Sequence, residues 1–265
     1  MFLDADDAIT KTALEEIYPI AKKFDADVIH CERHFAAPAN TVNMDKKVFK
    51  IASIMPTDFV TVPTPMSASK TERIALFSTG KFTWTTYTNF VRRKLVMKNK
   101  IEFPNIKMGG DFVFTIKLLC LAESFIIIPN IYYIYRQLID SVSRFGNQTN
   151  IDKLVKHVGA LTFKGISVID NFLNEFKEFR DNPGYKYALY EHLIAHNPTF
   201  LRIYAQIPAH KLDTLIKAEL SDEQNIIPLT SFLFARMNIF NLQLIQAQQI
   251  IAQKDAQIAE LKKQF

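Results

Sequence analysis

The chain has 265 residues, 48% hydrophobic and 22% charged, which suits one large domain or two modest ones with a real core. Seven glycines are too few for a many-turned all-β architecture and favour helix, while a net charge of +5 and a pI near 9.0 allow anionic partners without naming one. The two cysteines, Cys31 and Cys120, stand alone in apolar segments, which excludes a C-x-x-C zinc site and reads as two buried thiols in a reducing cytosol.

Taken in order, the chain opens on an acidic Met-Phe-Leu-Asp-Ala-Asp-Asp, without the charged start and apolar middle of a leader. Phe2-Leu3 ends a short apolar strand, and Asp7 is expected to cap a helix over Lys11 to Phe24, whose apolar residues Ala13, Leu14, Ile17, Ile20, Ala21 and Phe24 recur at helical spacing. Asp27 to Phe35 alternates as a strand. Between residues 36 and 66 the prolines Pro38, Pro56, Pro63 and Pro65 break the pattern, and a short helix over Lys46 to Ile54 and an edge strand over Asp58 to Val62 are expected. Ser69 and Glu72 form a capping box for a helix ending near Gly80. Trp84 to Asn99 passes from strand to helix, Gly109-Gly110-Asp111 opens a helix over Phe112 to Ala122, and Phe125–Ile128 and Ile131–Arg136 are short strands. No apolar run reaches the ~18 residues that span a bilayer.

After about residue 147 helical periodicity dominates, with breaks expected at Asn182-Pro183-Gly184, Asn197-Pro198, Ile207-Pro208 and Ile227-Pro228. Residues 1–146, 147–232 and 233–265 are therefore read as an α/β domain, a helical region and a tail. In the tail Met237, Leu244, Ile251, Ile258 and Phe265 are seven apart, and Leu233, Phe240, Ala247, Lys254 and Leu261 fill a second seam. Two seams over four heptads point to a coiled coil; a single amphipathic helix packed on its own domain is the alternative.

Three motifs carry possible chemistry. Asp4-Ala5-Asp6-Asp7 clusters carboxylates that repel unless a hard cation neutralises them, a pattern suited to a metal-diphosphate site, although Asp6 and Asp7 could instead cap a helix. Asp111 at a helix start is by itself a cap. Tyr133-Ile134-Tyr135-Arg136 is either core with a solvated cation or a sugar platform with a phosphate-pairing guanidinium. His192 and His196 share a helix face without a third ligand, and the basic stretch from Arg92 to Lys107 reads first as a solvated face, with acidic lipid or a phosphorylated glycan as the alternative partner. No motif points to nucleic acid.

In this order the motifs resemble glycosyltransferase family 2, with its GT-A fold. The matching pieces are Phe2 to Asp7, Thr83-Trp84 through Val91-Arg92-Arg93, Phe103-Pro104, Gly110-Asp111-Phe112-Val113-Phe114, and Tyr133 to Arg136 with the downstream Ser141. The resemblance covers residues 1 to about 145. It implies a partial GT-A domain that begins at the metal strand, without the nucleotide-binding first half, followed by the helical region and coiled coil. It implies inverting, metal-dependent transfer from a nucleotide-sugar donor to a glycan or lipid-linked acceptor in surface polysaccharide or lipooligosaccharide synthesis. Asp6 and Asp4 would hold Mn²⁺ or Mg²⁺; Asp4, Asp6 and Arg136 would meet the donor; Asp111 would be the general base; Trp84 and Tyr87 would line the acceptor side. Asp111 is expected to stay ionised at neutral pH, helped by the helix N-terminus, a nearby divalent cation and Gly110 in place of an acidic neighbour. The protein would be cytoplasmic or peripheral at the inner membrane face, with self-association through 233–265. Two departures stand out: Gly110 replaces the family's Glu, and Asn89 its usual Lys. The competing reading is an inactive remnant that only binds or oligomerises.

Overall fold

In the computed structural model the described residues are 1–38, 50–52, 60–106, 109–137, 152, 160–196, 208, 210–211, 213–214, 217 and 223–264. They form a mixed α/β structure with two four-stranded sheets. The elements are β1 (Ala8–Ile9), α1 (Ala13–Lys23), β2 (Val28–Cys31), β3 (His34–Pro38), β4 (Lys50–Ala52), β5 (Thr64–Pro65), α2 (Lys70–Ser78), β6 (Asn89–Val91), α3 (Arg93–Lys98), α4 (Gly110–Leu121), β7 (Phe125–Ile128) and β8 (Tyr133–Gln137). Helices α5 (Ile166–Leu173), α6 (Lys177–Asp181), α7 (Gly184–Glu191) and α8 (Glu223–Gln264) follow.

One sheet runs β5-β7-β2-β6 and the other β1-β8-β3-β4. Each has a parallel pair at its centre, β2 with β7 and β3 with β8. All four residues of β2 are buried, as expected of a strand covered on both faces. Pro65 lies on the edge strand β5, where a missing N–H leaves no ladder position empty.

Several expectations change. Met1 to Asp4 form no strand; Met1, Phe2 and Leu3 are exposed and lack a neighbouring ladder. Asp7 is no helix cap, because its carboxylate is taken by β8 and Thr12 precedes α1 instead. Leu14 is 64% exposed, so the buried stripe of α1 is narrower than the periodicity implied. The segment expected as helix over Lys46 to Ile54 contains β4, held by antiparallel pairing to β3; its remaining residues, and Asp58 and Phe59 of the expected edge strand, lie outside the described residues. Residues 60–63 carry no strand. The boundary at 145–147, Ser141 and the Asn197-Pro198 break also lie outside. Helix α8 runs through Pro228, which loses one backbone bond, while neighbouring Leu229 and Phe232 are buried against the core. Of the expected Ser69 capping box the N-cap half forms: the Ser69 hydroxyl accepts the Glu72 N–H, while the Ser69 N–H donates to Ser67 Oγ at 3.1 Å.

The larger core joins α2, α4 and β7 to α5, α7 and the start of α8, so the helical region shares its packing with the sheet region. A buried polar set ties α5 to α7: Lys186 Nζ donates to Asp170 Oδ1 at 2.8 Å and to Asn174 Oδ1 at 2.7 Å, and the Tyr190 hydroxyl donates to Asp170 Oδ1 at 2.6 Å. Cys31 and Cys120 are both buried free thiols, pushed up by burial. No helix among the described residues is long and apolar enough to cross a membrane.

Arg73 is the least expected core residue, 2% exposed. Its guanidinium donates to the carbonyls of Leu119 (3.2 Å), Ala122 (2.6 Å) and Glu123 (3.2 Å) at the end of α4, and to that of Ser67. The negative end of the α4 dipole is its counterion. Arg73→Met is therefore expected to orphan these carbonyls and cost about 3 kcal/mol, read as a lower urea midpoint. A loss below about 1 kcal/mol would mean the carbonyls find other donors.

Candidate active site

The acidic turn Asp4 to Asp7 is pinned from two sides. The Tyr133 hydroxyl donates to Asp7 Oδ2 at 2.6 Å and accepts the Asp4 N–H at 3.3 Å, while the Arg136 N–H donates to Asp7 Oδ1 at 2.7 Å. β8 thereby sets where the carboxylates lie. Asp7 is pushed up by burial, opposed by those hydrogen bonds and reinforced by repulsion from Asp6 and Asp4. Phe2 holds the other flank, with its ring 5.2 Å from that of Phe103 and 5.1 Å from that of Phe114 on α4.

Helix α4 starts at Gly110 because Gly109 adopts φ +87°, a left-handed turn that other residues resist. Gly110 itself has ordinary backbone, and a Cβ there would meet Phe103 Cδ1 at 3.6 Å, normal contact; the fold does not demand this glycine. Asp111 lies in the first turn. Its Oδ1 accepts the Thr86 hydroxyl at 2.7 Å. Burial pushes its carboxyl up, the Thr86 bond opposes this, and repulsion from Asp4 adds to it. Desolvation is the largest of these influences.

Thr86 and Tyr87 sit on the turn between Thr85 and β6, and Asn89 fixes that turn. Fully buried, Asn89 donates through Nδ2 to the carbonyls of Thr85 (2.9 Å) and Thr86 (3.4 Å), and its Oδ1 faces His30 Nδ1 at 2.9 Å. With Oδ1 as acceptor, His30 carries its proton on Nδ1. Burial lowers His30 to about 4, so it is neutral near pH 7. Asn89 thus has a structural role: it orients the loop that holds Asp111.

The aromatic side is built from Tyr87, Tyr133, Tyr135 and His34. Tyr87 stacks on Tyr133 (4.2 Å, 18°) and on Tyr135 (5.9 Å, 8°), and His34 meets both Tyr87 and Tyr135 edge-on. Asp7 and Asp111 are close enough to raise the Tyr87 phenol further above its burial shift. Trp84 is half-buried and stacks on Phe112 (4.4 Å, 12°), so one face of its ring is covered by α4. The Arg136 guanidinium forms no ion pair among the described residues and is available to an anion.

Asp4, Asp6, Asp7, Asp111, Thr86, Tyr87 and Tyr133 are therefore one neighbourhood. Thr86, His30 and the anchoring roles of Asn89 and Tyr133 were not singled out from sequence; a Thr in a turn carries no motif, and Asn89 was marked only as a departure from the family's Lys. No three His, Cys, Asp or Glu side chains among the described residues form a ready metal cage. The uncommitted donors are carboxylate oxygens, those of Asp4 and Asp6, which suits a hard cation that takes its other ligands from a diphosphate. His192 is buried against Phe77 rather than presented as a ligand.

No protein-family model matches the chain. The chain is similar to the cholesterol galactosyltransferase of Borreliella burgdorferi, with 24% identity over 184 residues, covering 68% of this chain and 49% of that protein. It thus spans about half the length of the curated relative it matches. Among solved structures it is similar to S. aureus TarS residues 1–349 in complex with UDP-GlcNAc, at 16% identity and a TM-score of 0.40, covering 90% of this chain and 67% of that one. The longer S. aureus TarS structure aligns at 16% identity and a TM-score of 0.37, covering 85% of this chain and 38% of that one.

Proposed function

We propose that this chain carries the metal- and acceptor-side part of an inverting, GT-A-type family 2 glycosyltransferase that uses a nucleotide-sugar donor. The observation that carries the proposal is Asp111, partly desolvated, fixed by Thr86 and lying in the field of the Asp4–Asp7 turn. The similarity to a galactosyltransferase supports it, as does the ordered motif set.

With Oδ1 held by Thr86, Asp111 Oδ2 is the oxygen left to take the acceptor's hydroxyl proton. As that proton moves to Asp111, the acceptor oxygen forms its bond to the anomeric carbon from the face opposite the leaving group. The bond from that carbon to the diphosphate oxygen breaks, and its electron pair leaves with the nucleoside diphosphate. A bound Mn²⁺ or Mg²⁺ would be held by Asp6 and Asp4 and would neutralise the departing diphosphate. Arg136 would pair a phosphate oxygen. Tyr87 and the exposed side of Trp84 would offer aromatic faces to the acceptor, a glycan or a lipid-linked group of surface polysaccharide or lipooligosaccharide synthesis. A cytoplasmic enzyme, peripheral at the inner membrane face, fits such an acceptor.

The test is transfer by the full-length gene product with Mn²⁺ and a panel of UDP-sugars, followed across pH. Nucleoside diphosphate release should depend on acceptor and metal. Its rate should hold near neutrality and fall on the acid side, at a pH above the usual carboxylate range, because the base must be deprotonated and burial raises Asp111. Acceptor-independent release, or a rate flat down to pH 4, would count against a carboxylate base.

A further inference from the structure

We propose that the distal part of α8 is a homotypic coiled-coil surface and that a second copy of this chain covers it. The helix divides in two. Its first part is anchored: Leu229 and Phe232 are buried in the core, and Arg236 pairs with Glu191 at 2.9 Å. Beyond that anchor the packing stops. Every residue from Gln243 to Lys254 is exposed, so this stretch does not lie back on its own body. At ~1.5 Å per residue, the helix from Met237 to Gln264 extends about 40 Å.

Most of the exposed apolar residues are ordered, Ile245 (50% exposed) standing outside both rows. Met237 (60% exposed), Leu244 (49%) and Ile251 (60%) occupy one core position of a heptad, and Leu233 (54%) and Phe240 (61%) the other, continued by Ala247 and Lys254. The sequence extends both rows to Ile258 and Leu261, whose side chains, with Phe265, lie outside the described residues. A 3.5-residue repeat over four heptads is the length at which such a seam closes against another helix, and only a supercoiled helix keeps it in contact.

The flanks indicate which helix. Positions beside the seam decide partner choice through their charges. Here they are Asn241, Gln248, Asp255 and Lys262 on one side, and Gln243, Ile250, Gln257 and Gln264 on the other. Neither side carries the block of one sign that would repel an identical helix and select an oppositely charged one. Ile250 widens the apolar strip, at 54% exposure. Lys254 is the one charged residue in the seam. A polar core residue fixes register at a cost in stability, so its removal should tighten the contact.

The experiment is sedimentation equilibrium of the full chain over micromolar concentrations. The parent should show a multiple of 30.5 kDa. The double variant Leu244→Asp/Ile251→Asp should sediment at 30.5 kDa, with an unchanged near-ultraviolet spectrum because both side chains are exposed. Lys254→Leu should lower the dissociation constant at least ~10-fold. A parent that stays monomeric throughout, a double variant that keeps the parent mass, or a Lys254→Leu chain that associates no more tightly would each overturn the proposal. The Lys254→Leu result stands even if the double variant fails to fold.

Discussion

Asp111→Asn in the full-length gene product is expected to bind donor like the parent and to transfer sugar ~10²–10⁴-fold more slowly. Asn keeps the side-chain shape, and its amide oxygen can still accept the Thr86 hydroxyl that Asp111 Oδ1 now accepts. The first turn of α4 should not change, since Gly109 rather than Asp111 sets its entry. What is lost is the second oxygen as a proton acceptor. The acid limb of the pH–rate profile should disappear with it. A helix-start residue with only a structural role would move neither quantity, so an Asn variant that transfers at the parent rate would reduce Asp111 to a structural residue.

Asp6→Ala should weaken Mn²⁺-dependent nucleoside diphosphate binding by at least ~100-fold, since supporting residues around metal sites already cost 10–100-fold. The reason lies in how the acidic turn is divided. Asp7 is committed to β8, accepting Tyr133 and the Arg136 N–H, and its loss would disturb the turn itself. Asp6 is only half-buried and Asp4 is exposed, and neither carboxylate is committed in this way. Removing Asp6 should thus leave the fold intact while taking away a hard oxygen ligand. Unchanged binding in Mn²⁺ would move the metal off this turn.

The chain's chemistry was legible where residue types must recur in order. The Ser69 helix cap, the Gly109 turn into α4 and the strand Phe125–Ile128 follow from local rules and form as expected. Elements decided by distant partners were not legible. β4 depends on its ladder with β3, and Asp7 is diverted from capping by Tyr133, 126 residues away. Pro228 signals a break, yet burial of Leu229 and Phe232 carries α8 through it. At the site, the motifs pointed to Asp111 and the acidic turn but not to Thr86, His30 or the turn-holding role of Asn89, which arise from hydrogen bonds across the fold. The desolvation that raises the Asp111 carboxyl is likewise invisible in a linear motif.

The division of labour between the acidic turn and Asp111 is the central claim, and one calorimetric titration tests it most directly. Nucleoside diphosphate is titrated, with and without Mn²⁺, into the full-length parent, Asp6→Ala and Asp111→Asn. The parent and Asp111→Asn should bind alike and only with metal, while Asp6→Ala should show no metal-dependent heat. Binding that survives in Asp6→Ala, or is lost in Asp111→Asn, would contradict the assignment of metal to the turn and proton transfer to α4.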